Sequence, residues 1–176
     1  LLLNGQTVEP SADTALIADD RRALALAGIM GGEESGIDDA TSELFLESAF
    51  FAPDAVAGKA RALGFSSDAS YRFERGVDFA STREALERAT QLILEICGGQ
   101  AGPVTEAIDR RHLPKREAVR VRVPRAEKIL GIRLGGEVAA RLFRGLDFPF
   151  TQEGDTFIVT PPSHRFDIAI EEDLVE

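Results

Sequence analysis

Residues 28–36 read GIMGGEESG and residues 64–76 read GFSSDASYRFERG. Both stretches are too rich in glycine, serine and charge for ordinary core, and too particular in their order for an ordinary loop. Between them residues 44–53, LFLESAFFAP, form an apolar segment with one carboxylate, Glu47. The three segments are predicted to line one pocket. Gly31 and Gly32 suit a wall that lets a ligand approach backbone without obstruction by Cβ. In an extended 44–48 segment, Leu44 and Leu46 point one way and Phe45 and Glu47 the other.

Working outward, residues 14–18 and 24–29 read as two strands joined by a polar turn at 19–22, the second ended by Gly31 and Gly32. Residues 44–48 read as a third strand. Pro53 suits the first turn of a helix over 53–63, closed by Gly64. Residues 64–76 read as a loop. The pair Ser81 and Glu84 has the spacing of a capping box. Leu86, Ala89, Ile93, Ile96 and Cys97 then mark one stripe of a helix ended by Gly98 and Gly99, which makes Cys97 a buried core thiol. Residues 101–114 read as a linker. Val119, Val121 and Val123 alternate with Arg120 and Arg122 as a half-buried strand. Short helices are predicted at 125–130 and 137–146, and a strand at 157–160. The fold class is therefore α+β, with a mixed, mainly antiparallel sheet and packed helices over residues 1–110. A small winged-helix-like module follows over residues 111–176.

The 176 residues carry a net charge of −10 and one cysteine. One cysteine excludes a disulfide framework and a multi-thiolate zinc site. The two histidines, His112 and His164, lie outside the glycine-rich stretches and offer no base beside them. Residues 1–110 hold 9 Lys+Arg against 19 Asp+Glu, and the remainder 11 against 11. So acidic a first part is a poor autonomous nucleic-acid binder, since phosphate contacts need cations. No apolar run reaches the roughly 18 residues of a membrane helix. Leu1 in place of Met and an ending at EEDLVE are read as an internal piece of a longer protein.

LAGIMGGEESG, FLESAFFAP, SSDASYRFERGVD, ICGGQAGPV and TPPSHRFDIAIEEDLVE, in this order and spacing, resemble the bacterial phenylalanyl-tRNA synthetase β-subunit family over essentially the whole chain. The resemblance implies that residues 1–110 are most of an editing (tRNA-deacylation) domain, N-terminally incomplete, and residues 111–176 the small winged-helix-like domain after it. It implies hydrolysis of tRNA(Phe) mischarged with tyrosine, with tRNA(Phe) and the synthetase α subunit as partners in a heterotetramer of two α and two β chains in the cytoplasm. ATP and Mg²⁺ belong to the whole ligase and its α-subunit synthetic site; no cofactor is expected in these residues themselves. The pocket positions implied are Gly31, Glu47, Ser67 and Ala69, with Gly32 beside Gly31. Ser67 departs from the threonine of many members but keeps the hydroxyl. A histidine of the family's pocket would lie upstream of Leu1. The resemblance also implies a magnesium site shared with the α subunit at Asp167, Asp173 and Glu176, empty in this piece.

These residue types suit that chemistry. Tyrosine and phenylalanine differ by one hydroxyl, so a pocket that only fits the ring cannot reject the smaller amino acid. A site that hydrogen-bonds the hydroxyl can discriminate by ~10⁴ or more, because its own polar group is otherwise left unpaired. Glu47 is suited to accept that bond; the alternative is a carboxylate paired with Arg61, Arg72 or Arg75. Gly31 and Gly32 would offer N–H donors to the oxyanion, or simply form a tight turn. Ala69 leaves room for the ring. Ser67 would orient water or the ribose rather than attack, having no base nearby. Arg72, Glu74 and Arg75 read as an ion-pair brace anchored by Phe73, and the cationic stretch 110–128 as a solvated or RNA-grazing face. The alternative function is a non-catalytic scaffold or RNA-docking module of the synthetase.

Overall fold

In the computed structural model, which describes residues 1–176, the chain divides into two units, Leu1–Leu113 and Pro114–Glu176. The first begins with a meander. Strand β1 (Leu16–Ala18) pairs antiparallel with β2 (Ala23–Leu26), and β2 with β3 (Met30–Gly31). The polar turn at 19–22 falls where expected: Asp19 accepts backbone N–H bonds from Arg21 and Arg22, both 2.8 Å. The run 24–29 is not one strand, however. Gly28 takes φ +66°, and the chain reverses there to add β3. A Cβ at Gly28 would meet Phe51, Phe73 and Val56 at 3.0–3.2 Å, so the turn is folded down onto the core.

Three further expectations fail in the segments that follow. Residues 44–48 form no strand, and Leu44 and Phe45 are exposed, Phe45 by 91%. An alternating pattern makes a strand only when a neighbour supplies ladder bonds, and none pairs here. The helix over 53–63 is split into α1 (Pro53–Val56) and α2 (Lys59–Ala62), because Ala57 is extended and Gly58 left-handed. Residues 64–76, read as loop, contain the helix α3 (Asp68–Phe73).

Helix α4 (Thr82–Cys97) has the predicted span but not the predicted cap. Ser81 has helical φ and ψ, and its hydroxyl donates to the Asp78 carbonyl at 3.1 Å. Cys97 is exposed, not buried. Its stripe has the right period, and Leu86, Ala89 and Ile93 are half-buried, but no α4 side chain is fully buried and the stripe runs out into solvent at Ile96 and Cys97. The core of the first unit instead gathers Leu2, Leu26, Ile29, Val56 and Ala60, with Phe51 and Phe73 against them.

The second unit runs β4 (Val119–Arg122), α5 (Val123–Leu130), α6 (Gly136–Gly145), β5 (Phe150–Glu153) and β6 (Thr156–Val159). Its antiparallel sheet has the order β4-β6-β5, so the last strand lies between the other two. Val119 and Val121 face the core and Arg120 and Arg122 the solvent, as the alternation predicts. Val123 starts α5 rather than continuing β4, since Pro124 in the first helical turn suits a helix and not a ladder. Phe143, Phe150 and Phe157 stack at centroid distances of 5.3–5.9 Å around a fully buried Phe157. The two units together make an α+β chain with antiparallel sheets.

Candidate functional site

Gly31 ends β3 and Gly32 follows it, with the short 3-10 turn Glu33–Ser35 next. Both glycines are held in the sheet: the Leu3 amide donates to the Gly31 carbonyl at 3.0 Å, and the Gly32 amide donates to the Leu24 carbonyl at 2.8 Å. Gly32 therefore has no free N–H to offer an oxyanion in this structure. What the pair provides is close approach: Leu3 packs over Gly31 and the Leu24 carbonyl over Gly32. Gly32 has extended dihedrals, so it is needed not for its φ but because a Cβ would overlap the Leu24 carbonyl.

Ser67 is the N-cap of α3. Its hydroxyl accepts from the Ser70 amide at 3.0 Å, and Ser70 reciprocates by accepting from the Ser67 amide at 3.0 Å. The same Ser67 hydroxyl donates to the carbonyl of Ile29 at 2.5 Å. A side chain in the second glycine-framed stretch is thus bonded to backbone of the first, two residues before Gly31. The structure brings Ser67 to the β2–β3 turn, with Ala69 two residues further along the same helix. The sequence does carry a signal for this helix: serine followed at once by Asp68 is a helix start, the serine capping and the carboxylate meeting the N-terminal dipole.

Glu47 makes no hydrogen bond or ion pair. Of the arginines weighed against it, Arg75 pairs with Glu74 at 2.8 Å, donates to the Tyr71 carbonyl at 2.9 Å, and lies 3.6 Å above the Tyr71 ring. Neither Arg61 nor Arg72 has an ion-pair partner. The brace predicted for 72–75 is present for Glu74 and Arg75, with Phe73 in the core, but excludes Arg72. Although the Glu47 side chain reaches solvent, the protein around it removes enough water to raise its carboxyl pKa above the ordinary value. No bond ties Glu47 to Gly31, Ser67 or Ala69. Its segment is anchored to the same cluster through Phe51, whose ring lies 5.1 Å from that of Phe73.

A cavity of about 420 Å³ lies elsewhere. Ser48, Phe50, Phe79, Leu86, Ile108 and His112 are among its walls, and none of Gly31, Gly32, Glu47, Ser67 and Ala69 lines it. Adjacent positions thus divide: Ser48 faces the cavity and Glu47 does not.

The acidic C-terminal residues do not converge. Asp167 is held by Arg165 at 2.7–2.8 Å, which lowers its pKa. Asp173 accepts the amides of Ala169 and Ile170 at 2.8 and 2.9 Å. Glu176 is exposed, and no three metal-ligating side chains gather anywhere in the chain. As arranged, these carboxylates do not fit a magnesium cage. Neighbouring Glu171 and Glu172 do other work, binding Arg122 and Arg125.

The family model for the B3/4 domain matches residues 1–98, the part that holds both glycine-framed stretches. The chain belongs to the B3/4 domain family. Behind the B3/4 domain, residues 119–176 match the tRNA synthetase B5 domain. The whole chain is 66% identical to the "phenylalanine--tRNA ligase beta subunit" of Dechloromonas aromatica and 63% identical to that of Aromatoleum aromaticum. The corresponding protein of Chromobacterium violaceum is 56% identical. The chain spans 22% of the length of each of these relatives. The resemblance read from the five sequence blocks is thus shown across both units. No helix is long and apolar enough to cross a membrane.

Proposed function

We propose that this chain is the proofreading part of a cytoplasmic phenylalanine–tRNA ligase β subunit, and that its B3/4 domain hydrolyses tyrosine from mischarged tRNA(Phe). The observation that carries the reading is Glu47: a carboxylate without a partner, partly stripped of water, on an otherwise apolar segment. A phenol can replace water as the donor to this acid and a bare phenyl ring cannot, so the discrimination follows from one bond. Gly31 and Gly32 form the backbone wall, and Ala69 leaves space for the ring. Ser67 does not attack. Its hydroxyl is engaged at both ends, so the attacking group is water, oriented by backbone and by the terminal ribose of the tRNA. The whole ligase would add the α subunit, tRNA(Phe) and the ATP- and Mg²⁺-dependent synthetic site. Asp167 and Asp173 would have to leave their present bonds to join a metal with Glu176.

The test is deacylation of Tyr-tRNA(Phe) by the full-length αβ enzyme. Glu47→Ala is expected to slow clearance of the tyrosyl ester, and Ala69→Trp to block it by bulk. Unchanged clearance in both variants would leave a scaffold or RNA-docking role as the better account.

A further inference from the structure

We propose that Ser70 is a positioning residue for this pocket, acting through Ser67 to hold helix α3 against the β2–β3 turn. The effect on catalysis rests on the proofreading reading; the clamp itself does not.

Ser70 is the one buried polar residue of the chain, 4% exposed. A buried hydroxyl is costly unless it is bonded, and this one is bonded twice to the same residue. It accepts the Ser67 amide at 3.0 Å and donates to the Ser67 carbonyl at 2.9 Å. Both backbone polar groups of Ser67 are thereby held by a single atom. The Ser70 amide then donates to the Ser67 hydroxyl at 3.0 Å, which fills one lone pair and leaves the proton for the Ile29 carbonyl at 2.5 Å. The direction of each bond in this short chain is set by its neighbour, an arrangement in which the members act as one unit.

One turn further along, Phe73 reaches the same place by packing. Its ring stands where a Cβ on Gly28 would be, 3.2 Å away, and contacts Phe51. Helix α3 is therefore clamped to consecutive residues, to Ile29 by a hydroxyl and to Gly28 by an aromatic ring. Ala69 lies between the two clamps. Its distance from Gly31 is set by residues that need not touch substrate, and a displacement of about 1 Å is enough to slow a positioned reaction severely.

The experiment uses the full-length β subunit with its α partner. In Ser70→Ala the kcat for Tyr-tRNA(Phe) deacylation should fall about tenfold while KM stays within about twofold. Ser67→Ala should fall similarly, Ser67→Thr should restore activity, and the double alanine variant should be no worse than the poorer single, since both cut one link. Hydrogen exchange should rise in residues 28–36 of Ser70→Ala and stay unchanged in residues 119–159. Losses that multiply in the double variant, or wild-type kcat and exchange in Ser70→Ala, would overturn the proposal. If Ser70→Ala does not fold, the half-buried Ser67→Ala carries the same readings. If the wild-type enzyme leaves Tyr-tRNA(Phe) intact, the proofreading reading falls, and exchange at 28–36 alone decides the clamp.

Discussion

The Gly32 amide lies 2.8 Å from the Leu24 carbonyl oxygen, and that carbonyl fills the space a Cβ would need. Gly31, its neighbour, meets only the end of the exposed Leu3 side chain, 2.8 Å from an added Cβ. Two adjacent glycines are thus constrained by different atoms, one by backbone and the other by a side chain that can rotate away. Gly32→Ala should destabilise the first unit by about 1–3 kcal/mol. Gly31→Ala should cost less than about 0.5 kcal/mol and leave deacylation near wild type, since its methyl displaces only the Leu3 side chain. Urea unfolding read by hydrogen exchange in residues 16–35, set beside deacylation rates, checks both. Equal stability losses would contradict the distinction.

Glu47 gives a pH dependence of known sign. Its folded pKa is raised by loss of water, so the ionised form is the disfavoured one. The penalty is fully present above the folded pKa and disappears as pH falls below the ordinary glutamate value. Glu47→Gln should therefore be more stable than wild type at neutral pH, with the difference closing in acid. Denaturation midpoints at pH 7 and pH 4 test this; identical midpoints at pH 7 would show that the acid is well solvated.

Glu171 behaves oppositely. It accepts the Arg122 amide at 2.8 Å, Nε at 3.1 Å and Nη2 at 2.6 Å, and the arginine holds its pKa below the usual value. This stabilisation is present above the ordinary carboxylate pKa and is lost as pH falls through the lowered one. Glu171→Gln should cost the second unit about 1–3 kcal/mol at pH 7 and much less at pH 3. A difference that stays constant over that range would mean that shape, not charge, holds this contact.

Much of this architecture was legible one segment at a time. Helix α4 follows from a period of 3.6, the alternation of β4 from a period of 2, and the turn at 19–22 from its run of polar residues, while α5 and α6 lie within two residues of the expected short helices. The likeness to the synthetase β subunit came from long blocks in register. The misreadings share one cause. Residues 44–48 alternate like a strand and Cys97 falls on an apolar helical stripe, but burial needs a second surface, and a local period says nothing of where that surface is. Helix α3 was missed for another reason: six glycine, serine and charged residues at its borders outweighed a capping signal at Ser67.

The order of residues by itself determined the spans of α4, α5 and α6 to within two residues, the α+β class and the family, because each is carried by local pattern or by blocks in register. Only the folded chain decided that Ser67 bonds to Ile29, 38 residues away, and Arg122 to Glu171, 49 residues away. It alone decided that Glu47 has no arginine and Gly32 no free amide. Such pairings are set by which surfaces meet after the chain collapses, and any of several donors would have satisfied each acceptor equally well.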